Sequence, residues 1–353
     1  MTLSGKDNVL AGAVTESVRL HTNENPLGAS GLALRLCMSM PNLLSEYPEM
    51  TYRSLRMAIG ERWCVDPERV VVGAGSDELI DIALRSLLKP GSRVVALRHS
   101  FKMYQIRSAL LGADYSEISP SAGESYETAL GLALEQRPDM VVLVNPSNPL
   151  GEYLSPMQML SMVAAIPKST AVIIDEAYAE FAPDRENSVG IQVVNAREGT
   201  ICLRTFSKAY GIAGLRLGWA YASTDLVPLL QARRAPYNVS SFSALAGEYA
   251  LQDCDHLDKT VAHCRAWGQR IVSLFKAHGI QARSQYVNFV FVECASQHCC
   301  QALHGHLESE GFLTLQLTDY GLDTCLRISF GSQAQMIRLV DVLKKKLQAM
   351  ESS

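Results

Sequence analysis

No apolar stretch in this chain approaches the roughly 18–20 residues that a membrane span needs, so the sequence predicts a soluble protein. The first eighteen residues, MTLSGKDNVLAGAVTESV, have neither the basic start nor the apolar core of a secretory signal. There is no C-x-x-C pair, no internal repeat and no low-complexity tract. The nine cysteines are scattered, and adjacent Cys299-Cys300 suits neither a zinc site nor an ordinary disulfide. An odd number of dispersed thiols predicts a reducing, cytoplasmic setting. Charge of one sign is also missing: 32 basic residues stand against 36 acidic ones, a net charge of −4. The longest basic run, Lys344-Lys345-Lys346, lies in a segment patterned like a surface helix. Neither nucleic acid nor an anionic membrane is expected as the main partner.

What is present is length and apolar content. A chain of 353 residues with 48% apolar composition can bury a large core, as one big domain or two ordinary ones. Short, nearly continuous apolar runs occur at 70–72, 94–97, 140–144, 171–174, 201–203 and 217–221. Runs this short and rich in Val and Ile read as strands buried on both faces, the habit of parallel sheets. Amphipathic stretches such as 77–88 and 157–165 fall between them. Alternating strands and helices predict an α/β layered domain. After about residue 254 the pattern changes: a long helix (257–278), a strand (287–293), a helix, a strand (326–330) and a terminal helix (333–350). The chain therefore divides into a large α/β domain, residues 41–254, and a smaller α+β domain, residues 1–40 and 255–353.

Ligands of such sheets sit beyond the carboxyl ends of the strands, so the residues just after each run matter most. After 70–72 comes Gly73-Ala74-Gly75-Ser76-Asp77-Glu78 at a helix start. Free backbone N–H groups and a hydroxyl there make an anion site, although the segment also reads as an ordinary N-cap. It lacks the third glycine of a dinucleotide fingerprint and is not a Walker loop. After 140–144 comes Asn145-Pro146-Ser147-Asn148-Pro149-Leu150-Gly151, which by itself is simply a rigid turn. After 171–174 stands Asp175, where burial is costly without a cationic partner. A protonated ring nitrogen, a metal ion or a buried salt bridge would each serve. After 201–203 come Arg204-Thr205-Phe206-Ser207-Lys208 and, eight residues past the lysine, Arg216. A lysine on an ordinary loop explains this grouping poorly.

The run RTFSKAYGIAGLRLG resembles the lysine segment of fold-type I, pyridoxal 5′-phosphate-dependent aminotransferases (class I/II), specifically the histidinol-phosphate aminotransferase branch. HTNENPLG, EYPE, GSDE, KMY, NPSNPLG, DEAYAEF, APYNV and LRISFG follow that family's order from residue 21 to residue 331. The resemblance implies the aspartate-aminotransferase-like fold, a large domain with a mainly parallel sheet between helices plus a smaller α+β domain. It implies transfer of an amino group from a small-molecule donor to a 2-oxo acid such as 2-oxoglutarate, by ping-pong kinetics, in a homodimer with shared active sites. Lys208 would hold the cofactor covalently, Asp175 would pair with its ring nitrogen, and Asn148 and Tyr178 would approach its phenolic oxygen. Tyr104 would stack on the ring. Gly75, Ser76, Asp77, Thr205, Ser207 and Arg216 would surround the phosphate, with Tyr47 reaching the phosphate of the partner subunit. Arg327, with Asn25, Tyr104 and Asn148, would bind substrate. No metal is expected, and the His298, His304 and His306 group reads as a polar helix face.

The sequence departs from that branch at Leu315, which stands where an arginine usually helps hold the substrate's acidic group. Either histidinol phosphate is bound by other groups, or the donor is a different one; leucine favours the second, a donor with a less acidic or partly apolar side chain, with Arg327 still offering a carboxylate anchor. His99 and Phe101 also replace the usual proline and tyrosine. A decarboxylase of the threonine-phosphate type would share most of these motifs, and product analysis would separate the two. A DNA-binding regulator built on this fold would need a further domain, for which the resemblance, starting near His21, leaves no room.

Overall fold

The computed structural model describes residues 17–351 apart from 41, 42, 44, 122 and 123. A two-residue strand, β1 (Val18–Arg19), comes first. Seven strands then form one sheet: β2 (Val70–Gly73), β3 (Arg93–Leu97), β4 (Asp114–Ile118), β5 (Met140–Val144), β6 (Ala171–Asp175), β7 (Thr200–Thr205) and β8 (Gly218–Ala222). Their spatial order is β2-β8-β7-β6-β5-β3-β4. Strand β8 runs antiparallel to both of its neighbours, and all other pairs are parallel. Each expected apolar run is a strand. The alternation within them is sharp: Val94, Val142 and Ile173 pack with the Ser76–Leu87 helix, whereas Val95, Val141 and Val172 pack with the Pro156–Ala165 helix. Both sheet faces are thus covered, which is why these strands read as unbroken apolar runs.

Two features of this sheet escaped the sequence. Strand β4, DYSEI, has only Ile118 buried because it lies at the sheet edge, so it carries no apolar run. The reversed direction of β8 leaves no trace in composition, since a strand buried on both faces looks the same either way round.

The C-terminal part builds a second, antiparallel sheet from β9 (Gln281–Arg283), β10 (Phe289–Glu293), β12 (Leu315–Leu317) and β13 (Leu322–Ser329), in the order β12-β13-β10-β9. Helices Cys254–Ala277, Gln297–Ser309 and Gln333–Glu351 belong to the same stretch of chain. The strand β11 (Phe312–Leu313) pairs in parallel with β1. Strands β9, β11 and β12 have two or three residues each, too few for an alternating pattern to reveal. Among the described residues no helix is long and apolar enough to cross a membrane.

What positions the site is a strap formed by residues 20–28. Leu20 is bonded to Leu313 and Ser329 of the second sheet region. Further along, Asn25 Nδ2 donates to the carbonyls of Lys208 and Ala209. Gly211, at φ +73°, packs so closely beneath Gly28 that a Cβ would collide with the Gly28 carbonyl. The strap therefore clamps the lysine loop against the second sheet.

Candidate active site

The carboxyl ends of β5, β6 and β7 converge on one cleft of about 270 Å³, lined by Asn148, Asp175, Tyr178, Thr205, Ser207 and Lys208 among others. Ser76, Asp77 and Arg216 close one side of it. Lys208 is half-buried because the cleft itself reaches it, and its amine donates to the Thr22 and Asn23 carbonyls at 3.2 and 3.3 Å. Burial, and then the positive charge of Arg327, push the amine down to about 8, with Arg216 contributing less. At that value roughly a tenth of the amines are neutral at pH 7, several hundred times the fraction in an ordinary lysine.

Asp175 ends β6 and is 3% exposed. One carboxylate oxygen accepts from Tyr104 Oη at 2.8 Å and the other from the Ala177 amide at 3.0 Å, and both donors are uncharged. Burial raises the carboxyl to about 6 despite these two bonds. A buried carboxylate with only neutral donors fits opposite a cation held in the cleft. Tyr178 is buried, its hydroxyl accepts from Asn23 Nδ2 at 2.8 Å, and its ring lies 5.9 Å from the Lys208 amine.

The Ser76 side of the cleft is built for an anion. Ser76 and Asp77 open the first turn of a twelve-residue helix after Gly75, whose φ is +83°. A Cβ on Gly75 would collide with the Arg216 guanidinium. Arg216 Nη1 donates to Ser207 Oγ at 3.3 Å, and its Nη2 pairs with Asp77 at 3.2 Å. Thr205, which ends β7, accepts from the Ser207 amide. Helix-start amides, two hydroxyls and an arginine are the donor set a phosphate requires.

Comparison with known proteins gives the chain's family. The family model described as aminotransferase class I and II matches residues 10–343. The chain belongs to the class I and II aminotransferases. It is 33% identical over 345 residues to a histidinol-phosphate aminotransferase of Maricaulis maris, covering 96% of this chain and 94% of the relative. A histidinol-phosphate aminotransferase of Ruegeria pomeroyi is 31% identical, over 94% of this chain and 91% of its own. In fold it is similar to the crystal structure of histidinol-phosphate aminotransferase from Sinorhizobium meliloti in complex with pyridoxal-5′-phosphate. The TM-score is 0.87 at 24% identity, with 95% of this chain and 92% of that one covered.

Five of the expected residues, Gly75, Tyr47, Tyr104, Asn25 and Arg327, are not among those that line the cleft of this aminotransferase. Tyr104 does not line the cleft: it is fully buried behind Asp175, with burial and Asp175 itself holding its phenol well above the usual range. Phe101, three residues earlier, lines the cleft instead. The ring that faces the cleft is therefore that of Phe101, and Tyr104 is a hydrogen-bond donor to the aspartate. Asn25, expected to touch substrate, spends its side chain on the lysine-loop carbonyls, Thr260 and the Leu27 amide. Its neighbours Thr22 and Glu24 line the cleft, as does Arg19. Thr22 and Glu24 lie in the HTNENPLG motif and Arg19 just before it, and which of these side chains turn inward depends on the path of the strap.

Tyr104→Phe separates the two roles. Losing a hydroxyl bonded to a carboxylate is expected to lower kcat about tenfold, the equivalent of about 1.5 kcal/mol, because the aspartate's charge is less well held. A stacking tyrosine would tolerate phenylalanine, so an unchanged kcat in the folded variant would contradict the hydrogen-bond role.

Tyr47 is 83% exposed and leans on Tyr237, ring centroids 4.7 Å apart. Arg327 is buried, donating to Asn148 Oδ1 at 2.5 Å and to the His21 carbonyl at 2.6 Å, with its Nε unpartnered. Leu315 sits directly across from Arg327 in the β12–β13 pair, and Phe291 does so in the β10–β13 pair.

Proposed function

We propose that Lys208 is the residue to which pyridoxal 5′-phosphate attaches, and that the chain moves an amino group from an amino-acid-like donor to a 2-oxo acid in two half-reactions. The observation that carries this reading is the placing of one depressed lysine amine, one buried carboxylate with only neutral donors and one anion cradle in the same cleft. When bound, the cofactor supplies an aldehyde for amines to condense with and a ring that accepts the electron pair released at the donor's Cα.

The chain's own residues do the rest. Asp175, buried and poorly partnered, favours a proton on the ring nitrogen opposite it. Ser76, Asp77, Thr205, Ser207 and Arg216 hold the phosphate, and Phe101 covers the ring. Tyr178 and Asn148 meet its phenolic oxygen. Lys208, its amine freed once a donor amine takes its place, would be the base that takes the Cα proton and the acid that delivers it to the cofactor's aldehyde carbon, C4′, with the Thr22 and Asn23 carbonyls accepting its N–H groups. Arg327 anchors a substrate carboxylate, its bond to Asn148 linking that anchor to the cofactor's neighbourhood. A homodimer would carry exposed Tyr47 to the other subunit's phosphate.

The donor is shifted away from histidinol phosphate in this reading. A guanidinium at position 315 would stand beside Arg327 on the same sheet face, where leucine places only methyl groups. The missing charge-assisted contact is worth about 1.5–3 kcal/mol. Leu315→Arg is therefore expected to raise kcat/KM for histidinol phosphate about 10- to 100-fold. Half-reaction rates across an amino-donor panel test this, with keto product and carbon dioxide both measured. Efficient wild-type turnover of histidinol phosphate would contradict the shift, and release of carbon dioxide would point to decarboxylation.

A further inference from the structure

The helix start that faces the cleft carries an acidic residue that ought to spoil it. Glu78 lies in the first turn of the Ser76–Leu87 helix, whose N-cap, Gly75, offers no side-chain acceptor. The first amides of such a helix have no partner within it and are free for an anion. A carboxylate in that turn is itself an anion and can compete for them. Asp77, the other acid there, is paired with Arg216. Glu78 is turned the opposite way: its Oε2 accepts from the Ala74 amide, ahead of the N-cap, at 2.5 Å and from Asn238 Nδ2 at 2.6 Å.

What holds it there is a bridge of fixed polarity. Asn238 Oδ1 accepts from Arg234 Nη1 at 2.8 Å and from Tyr52 Oη at 3.1 Å, while its Nδ2 donates to Glu78. A guanidinium only donates and a carboxylate only accepts, so the residue between them must present one acceptor and one donor. Asparagine does so, whereas aspartate would set a second carboxylate against Glu78. Both partners of Oδ1 are themselves held. Arg234 Nη2 donates to the Met50 carbonyl at 2.7 Å, and the Tyr52 hydroxyl bonds to the Val239 backbone.

We propose that Asn238 is a positioning residue for the cofactor's phosphate: by fixing Glu78 on the Ala74 amide, it keeps that carboxylate out of the anion cradle. The first-turn amides at Ser76 and Asp77 are thereby left to the ligand. This rests on the reading of the Lys208 cleft as the cofactor site. Asn238 is not among the residues that line the cleft and acts only through Glu78. Its influence is therefore confined to the phosphate, and the aldehyde that meets Lys208 is untouched by it.

The test uses the full chain freed of cofactor, with pyridoxal 5′-phosphate, pyridoxal and inorganic phosphate as probes. Binding is read by calorimetry, and for the two aldehydes also by absorbance. Asn238→Asp keeps the acceptor that Arg234 and Tyr52 use and reverses only the contact with Glu78. It is expected to weaken pyridoxal 5′-phosphate and inorganic phosphate about tenfold, the effect of a competing charge at a helix start. Pyridoxal, with the same aldehyde and no phosphate, is expected to change less than about threefold. Asn238→Ala is expected to act in the same direction. Adding Glu78→Gln to either variant is expected to restore phosphate binding to within about threefold of wild type, because a neutral amide does not compete as an anion. A merely structural bridge would weaken pyridoxal and its phosphate alike, and Glu78→Gln would restore neither; either result overturns the proposal. Wild-type protein that binds no pyridoxal 5′-phosphate overturns the reading of the cleft and this proposal together. Wild-type binding that both Asn238 variants preserve overturns this proposal alone.

Discussion

Lys208→Ala is expected to leave a folded protein that forms no covalent link to pyridoxal 5′-phosphate and turns over at least about 10⁴-fold more slowly. The magnitude follows from two losses at one atom. General acid–base transfer by a positioned side chain contributes about 10²–10⁴-fold, and the covalent route into the reaction disappears as well. Folding should survive, because burial disfavours the charged amine and alanine removes that cost: the lysine is pushed down to about 8. The sign has a further consequence for the wild type. An amine held below its unfolded value is a liability below pH 8 that is progressively relieved between about pH 8 and 10.5. Cofactor-free wild type should therefore gain stability across that window relative to Lys208→Ala, as thermal melts of the two at each pH would reveal. A variant that keeps a borohydride-reducible adduct would contradict the assignment.

Asp175→Ala has the second-largest expected effect, a fall in kcat of about 10²–10³ with the fold intact. That is the range found when a single preorganised electrostatic partner is removed from a reacting centre, about 2.7–4 kcal/mol. The structure explains why the fold should tolerate the change. The carboxylate receives only Tyr104 and the Ala177 amide, so in the absence of a cation it is under-compensated, and burial raises it to about 6. Its folded value lies above its unfolded one, so its contribution to stability is present below about pH 4 and lost as pH rises through 6. At neutral pH alanine removes a burden rather than a support, although the Tyr104 hydroxyl is left without its acceptor. The measurement is kcat beside a thermal melt; loss of both together would mean that the residue is structural.

Strand-end position pointed to this part of the chain but not to the roles. Asp175 directly follows an apolar run, as Arg204 does, yet Arg204 is spent on a buried ion pair with Glu176 and Glu180, so it was the family resemblance that singled out Asp175, Thr205, Ser207 and Lys208. Tyr104 and Phe101 were harder to tell apart, being three residues apart around one helix start. Which of the two faces the cleft is set by how the helix Met103–Leu110 begins, not by residue type. The strap residues were harder still. Arg19, Thr22 and Glu24 belong to a segment with almost no regular structure, and their orientation is fixed by bonds to residues about 300 positions away in the chain, such as Leu20 with Leu313 and Ser329. Long-range placement of that kind leaves no periodic mark.

The most direct measurement is borohydride reduction of purified protein incubated with pyridoxal 5′-phosphate, followed by peptide mapping. A yellow holoprotein, bleached by the reductant, with one cofactor mass fixed on the peptide containing Lys208 is the expected result. Colourless protein, or a label spread over surface lysines and missing from that peptide, would contradict the account.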